Sequence, residues 1–342
     1  MMNETMNLII EGRKKRRRRF ILVTALLAII ALALCWTMLM LGNTIYSVQD
    51  VVRVLLGEDV KGASFAVGTI RFPRMIAGVF AGFAFGVGGY IFQTMLRNPL
   101  ANPNVIGITA GSSAAAVFCI IVLNASNMVV SITSVIGGLA TVVVIFLLSK
   151  GTSFSIGRLI LIGIGIQAML NAVISYLLLI SKHHDLPTAM RWLSGSLNVR
   201  MENLYTLIII VLIFAPIIIA LGKRLDMLEL GEQAATSLGV DTNKTRLILV
   251  ISSVLIIALA TAATGPIAFV AFLAGPIAKR LVGVGFSNII PAGLVGIILV
   301  LASDLIGQFA FTARYPVGVI TGILGAPYLI YLLIRINRKG DL

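Results

Sequence analysis

LILVISSVLIIALATAATGPIAFVAFLAGPIA, residues 247–278, runs for 32 residues without one charged side chain. The hydrocarbon core of a bilayer is about 30 Å thick, and roughly 20 apolar helical residues cross it. The stretch is therefore too long for one straight crossing and rather short for two. Gly265-Pro266 sits in its middle. Proline lacks the N–H that a helix needs and clashes with the preceding turn. The pair predicts two helices, 247–263 and 265–282, joined by a tight outer turn. The alternative is a single kinked helix, which would invert every later crossing.

Similar apolar runs place further crossings at 20–41, 73–96, 105–123, 128–149, 159–181, 203–222, 288–310 and 316–334. Inside lipid the backbone must satisfy its own hydrogen bonds, so these runs are helices. The alternation of an outer-membrane barrel is absent. The fold class is thus all-α and membrane-integral, with about ten transmembrane helices. Charge then selects between the two readings of 247–278. With ten spans and both termini cytoplasmic, 19 of the 27 Lys and Arg lie inside, including Arg13–Arg19, Lys279 and Arg280. Merging the pair would leave 14 inside and 13 outside, against the positive-inside tendency. Ten spans is the better reading.

Composition agrees. The 342 residues are 58% hydrophobic and 12% charged, with mean hydropathy +1.03, whereas soluble domains carry about 25% charged residues. A net charge of +14 would raise nucleic acid as a partner of a soluble protein. Here the charge caps apolar runs, so membrane lipid explains it and no nucleic acid is expected. Residues 1–19 read as a basic cytoplasmic tail set against anionic headgroups, and 20–342 as one membrane domain. Phe20–Leu41 is too long for a signal-peptide core and reads as a retained first helix. Gly78, Gly82 and Gly86 share a face, as do Gly107 with Gly111 and Gly318 with Gly322. Such faces let helix backbones approach closely.

Chemistry is sparse. The two histidines, His183 and His184, sit beside Asp185 in an outer loop and read as solvated, and Cys35 and Cys119 as buried thiols. No metal site, paired acids or nucleophile motif is present, so no catalytic residue is expected and the chain does not read as an enzyme. Secondary transporters keep ionisable groups near mid-membrane. Only Asp304 breaks the rule here, and its expected role is structural, paired with Arg314 or capping a polar cavity. No G-x-x-x-x-G-K-[ST] sequence occurs, so the chain does not bind ATP in the P-loop manner. The cytoplasmic loop 225–246 contains LELGEQAATSLGV, residues 228–240. Ala234, Ala235 and Leu238 fall at helical spacing and Gly239 marks a stop. A short helix there suits either a partner's groove or the membrane surface.

Several segments together resemble the FecCD/cobalamin-type permeases of ABC importers. They are RFPR (71–74), Gln93 followed by RNPLANP (97–103) and Gly107, RWLSGSLN (191–198), LGEQAATSLGV (230–240), GPIAFV (265–270) and YPVGVITGILGAPYLIYLL (315–333). The resemblance spans about residues 65–335. It implies a type II ABC importer permease in a bacterial cytoplasmic membrane, paired as a homo- or heterodimer with a second permease. Two ABC ATPase subunits, carrying ATP and Mg, would grip Leu230, Gly231, Glu232, Ala235, Leu238 and Gly239. A periplasmic or extracellular binding protein would dock on Arg71 and Arg74. A family arginine is Gln308 here, and Arg314 is expected to take over part of the docking. The fifth and tenth helices would line the pathway, with Gln93, Asn98, Pro99, Gln167, Asn171 and Tyr176 along it. Ser153 and Ser155 would lie in an inner gate. The implied cargo is an Fe(III)-siderophore, with cobalamin or haem as alternatives, and this chain itself holds no cofactor. A secondary transporter is the remaining reading.

Overall fold

The computed structural model describes residues 2–149, 156–283 and 285–339, and every regular element among them is helical. The long helices fall on the apolar runs. They are α1 (Met2–Met40), then, after a short amphipathic α2 (Val48–Leu55), α3 (Phe72–Met95), α4 (Ile108–Ile121), α5 (Asn127–Ser149) and α6 (Ile156–Leu179). The short α7 (Leu186–Leu193) leads to α8 (Tyr205–Ala220). Two short helices, α9 (Gly222–Glu229) and α10 (Glu232–Ser237), precede α11 (Thr242–Thr264), α12 (Val270–Val282), α13 (Ile289–Phe309) and α14 (Val317–Lys339). Seven helices among the described residues are long and apolar enough to cross a membrane. α4 and α12 have 14 and 13 residues. At about 1.5 Å per residue they reach only ~20 Å, so these two are shorter than the crossings expected of them.

The decisive stretch is two helices. α11 stops at Thr264, and Gly265 takes φ +70° and ψ 179°. Only glycine enters that region without strain. The break is longer than expected: residues 265–269 are not helical, and α12 begins at Val270. The loop after α7 holds the break in place. Ser196 N–H donates to the Thr264 carbonyl at 2.7 Å, and the backbones of Gly195 and Pro266 lie almost in contact.

α3 is the hub. It packs against α11, α12 and α13 and is mostly buried, while α1 and α6 are mostly exposed at the periphery. The Gly78, Gly82 and Gly86 face does what its spacing implies. A Cβ on Gly82 would fall 2.7 Å from the Gly296 carbonyl oxygen of α13, and one on Gly86 would meet the Ala292 carbonyl closer still. Gly111 packs in the same way on Gly137 and Thr141 of α5. Gly318 rests on Ser194 and Pro266, but Gly322 meets nothing within 4 Å. That pair is therefore half packed.

α1 runs unbroken from Met2 through the basic segment. Arg19 donates from Nε to the Leu281 carbonyl (3.0 Å) and from a terminal nitrogen to the Arg280 carbonyl (3.2 Å). Phe20 stacks on Phe286 at 5.1 Å. A cation thus satisfies the carbonyls that α12 leaves free at its C-terminus. α2 and the π-helical turn Ser64–Arg71 that leads into α3 were not anticipated.

Candidate functional site

Arg71 and Arg74 are partly buried and turned inward. Arg74 makes a two-pronged bond to Asp304 of α13, with Nε to Oδ2 and a terminal nitrogen to Oδ1 both at 2.8 Å. Asp304 is fully buried, and Gln308 one turn on adds a third donor at 2.6 Å. The expected Asp304–Arg314 pair does not form, because Arg314 donates to Asn43 Oδ1 at 2.5 Å. Arg71 caps the end of α1, donating to the Leu39 (3.0 Å), Met40 (2.8 Å) and Thr44 (2.7 Å) carbonyls, and lies over the Tyr46 ring. The three arginines line one cavity of about 230 Å3. Of the three, Arg314 is the one on the open surface.

Gln93, expected on the pathway, is buried at 6% exposure and donates to the Phe272 carbonyl of α12 at 2.9 Å. The reason lies four residues on. Pro276 has no N–H to return to that carbonyl, so α12 contains an orphaned acceptor and α3 supplies the donor. Gln93→Leu is expected to lower stability by about 1–3 kcal/mol, read as a lower unfolding temperature in detergent. An unchanged melting curve would show that the bond is dispensable. Asn98 and Pro99 are exposed in the turn after α3, where Asn98 Oδ1 accepts from Leu100 N–H at 2.8 Å. Ser153 and Ser155 lie outside the described residues.

On α6, Gln167 is half-buried and Asn171 is exposed. Ser175, which the sequence reading passed over, is exposed as well and completes an i, i+4, i+8 stripe. Tyr176 is exposed at 61%, but at 100° per residue it sits ~140° around the helix from Asn171. It does not share the face. Ser175 returns its hydroxyl to the Asn171 carbonyl at 2.9 Å, but the side-chain amides of Gln167 and Asn171 do not suit bare hydrocarbon, which offers a polar group no partner.

Between α8 and α11, α9 turns through Leu230 and Gly231 into α10. Leu225, Leu228 and Ala235 point into the core, with Leu225 and Ala235 at 0% exposure. Ala235 is therefore packed into the core. Leu230 (68%) and Leu238 (58%) point outward, and Glu232 and Ala234 are exposed with them. Gly239 ends the element at φ +81° with open space on its Cα. Three polar links tie the element down. Glu229 pairs with Lys279 of α12, and Asp226 Oδ1 accepts from the Tyr90 hydroxyl of α3 at 3.4 Å. Glu232 lies 3.8 Å from Arg246 of α11. Burial, then the neighbouring Glu229 charge, pushes the Asp226 carboxyl up to about 6.

Three of the quoted sequence segments also meet in space. The 191–198 loop, the 265–269 break and the start of α14 converge through Gly195, Pro266 and Gly318, and the Phe269 side chain lies on Gly325. Nothing in their separation along the chain announces this meeting.

Residues 24–335 match the FecCD transport family. Over 328 residues the chain is 34% identical to the ferric enterobactin transport system permease protein FepG of Escherichia coli (strain K12), covering 94% of this chain and 98% of that one. It is 34% identical over 329 residues to the Fe(3+)-citrate import system permease protein YfmE of Bacillus subtilis (strain 168), covering 95% and 98%. Among solved structures, an inward-facing metal-chelate type ABC transporter superposes with a TM-score of 0.80 at 27% identity, over 92% of this chain and 99% of that one.

Proposed function

This chain belongs to the FecCD transport family, and from that premise we propose that it is the membrane-spanning permease subunit of an ATP-driven importer of ferric siderophores in a bacterial cell membrane. The observation that carries the mechanism is the cytoplasmic α9–α10 element. It buries one side in the core and offers Leu230, Ala234 and Leu238 to a partner. An ATPase that grips α10 supplies the energy that the chain cannot generate, since it has no P-loop and almost no titratable group at membrane depth.

The Gln167, Asn171 and Ser175 stripe of α6 faces a second permease, identical or homologous, and lines the pathway between the two. An uncharged, weakly polar wall passes a bulky chelate without holding it, so selectivity resides in the external binding protein. That protein docks on the outer cavity, with Arg314 as its main charge contact and the exposed edge of Arg71 beside it. Arg74, consumed by Asp304, supports the cavity from behind. Ferric enterobactin and ferric citrate are named for the relatives FepG and YfmE, and the cargo here is of that class.

The test is uptake of radiolabelled ferric enterobactin or ferric citrate into liposomes holding the chain with its partner permease, ATPases and binding protein. Uptake should require ATP and the binding protein. Gly239→Asp should lower it more than tenfold while the protein still inserts, because a side chain at this φ strains the end of α10 and protrudes into the ATPase contact. Uptake without nucleotide, or normal uptake by Gly239→Asp, would overturn the proposal.

A further inference from the structure

The short α12 is placed like a push-rod. Its inner end carries Lys279, which pairs with Glu229 of α9. Its outer end begins at Phe269, a non-glycine residue held at φ +63°. A bulky side chain in that region is strained, and such a conformation persists only where the surroundings enforce it. What enforces it is α14: the Phe269 side chain lies so close to Gly325 that a Cβ there would fall 2.5 Å away. Between these ends, 13 residues span ~20 Å, held by Gln93 on the carbonyl that Pro276 leaves free, by the close approach of Gly89 to Ala271 and, just past Lys279, by Arg19 on the Arg280 and Leu281 carbonyls. One rigid element thus joins the ATPase-facing element to α14.

We infer that Lys279 and Phe269 are positioning residues for coupling: the Glu229–Lys279 pair carries displacement of α9–α10 into α12, and Phe269 passes it to α14 at Gly325. The other two links, Tyr90 to Asp226 and Arg246 to Glu232, attach the same element to α3 and α11. α3 is the packed hub, so these links act as the pivot. The Lys279–Glu229 pair instead joins α9 to the inner end of the helix whose outer end meets α14. This inference rests on α10 being the ATPase contact.

The experiment measures cargo imported per ATP hydrolysed by the complete reconstituted transporter. Lys279→Glu and Glu229→Lys each set like charges together. Each should lower this ratio at least tenfold while the ATPases still co-purify and hydrolyse ATP. The exchanged pair, Glu229→Lys with Lys279→Glu, should recover at least half of the wild-type ratio, which a general loss of stability would not do. Phe269→Ala should lower the ratio with the inner pair intact. Single reversals that import normally, or an exchange that inserts correctly and recovers nothing, overturn the inference. Should the reversed chains fail to insert, Lys279→Met and Glu229→Gln take their place, with the same ratio deciding. If Gly239→Asp also transports normally, the ATPase contact itself is misassigned. If only the Lys279 and Phe269 variants are normal, the fault lies in the push-rod alone.

Discussion

Arg74→Leu should remove most of the folded protein from the membrane. The substitution leaves Asp304 at 0% exposure with Gln308 as its one remaining donor among the bonds described above. Breaking a buried ion pair from one side costs about 3–5 kcal/mol, because the other charge stays in a low-dielectric site without its partner. That is a large part of the 5–15 kcal/mol that holds a domain together. Removing both charges is a different change. The double variant Arg74→Leu with Asp304→Leu should recover much of the loss, since apolar groups of similar size often replace a buried pair without penalty. Yield of monodisperse protein in detergent and its unfolding temperature are the measurements. A single variant that folds normally and loses only capture of the binding protein would return Arg74 to a docking role.

Gly89→Val should be nearly as damaging. A Cβ at Gly89 would run into the backbone carbonyl of Ala271, at the start of α12. Overpacking a core usually costs about 1–3 kcal/mol, relieved by rotation of neighbouring side chains. Here the obstacle is main chain, so two helices must separate and the cost lies at or above that range. Expression as inserted protein should fall more than tenfold. Gly322→Ala is the control. It meets nothing within 4 Å, and alanine in a helix gains up to about 1 kcal/mol over glycine. Equal damage from both substitutions would mean that the α3–α12 contact is not the cause.

These two results separate what a linear pattern can carry from what it cannot. The glycines at 78, 82 and 86 are legible as a packing face, because helical periodicity places them together before any neighbour is known. That Gly89 serves α12 and not α13 is invisible, because it depends on which helix lies across from it. Similarly, Gln93 in a family-like segment reads as a pathway residue. Its actual role needs Pro276, nearly two hundred residues away, to leave a carbonyl without a donor. Tyr176 reads as near-helically spaced with Gln167 and Asn171, and the full turn geometry puts it on another face.

Sequence by itself determined that this chain lives in lipid, that its elements are helices, and that the long charge-free stretch is two of them. The first two follow from local physics, apolar length and backbone self-satisfaction, and the third from a glycine-proline break together with the distribution of Lys and Arg along the whole chain. It also located α10 and its glycine stop. Only the tertiary structure decided the partners of the charges. Asp304 chose Arg74 over Arg314, and Glu229 found Lys279, because burial makes an unpaired charge so costly that the pairing goes to whichever opposite group the helix packing brings within reach.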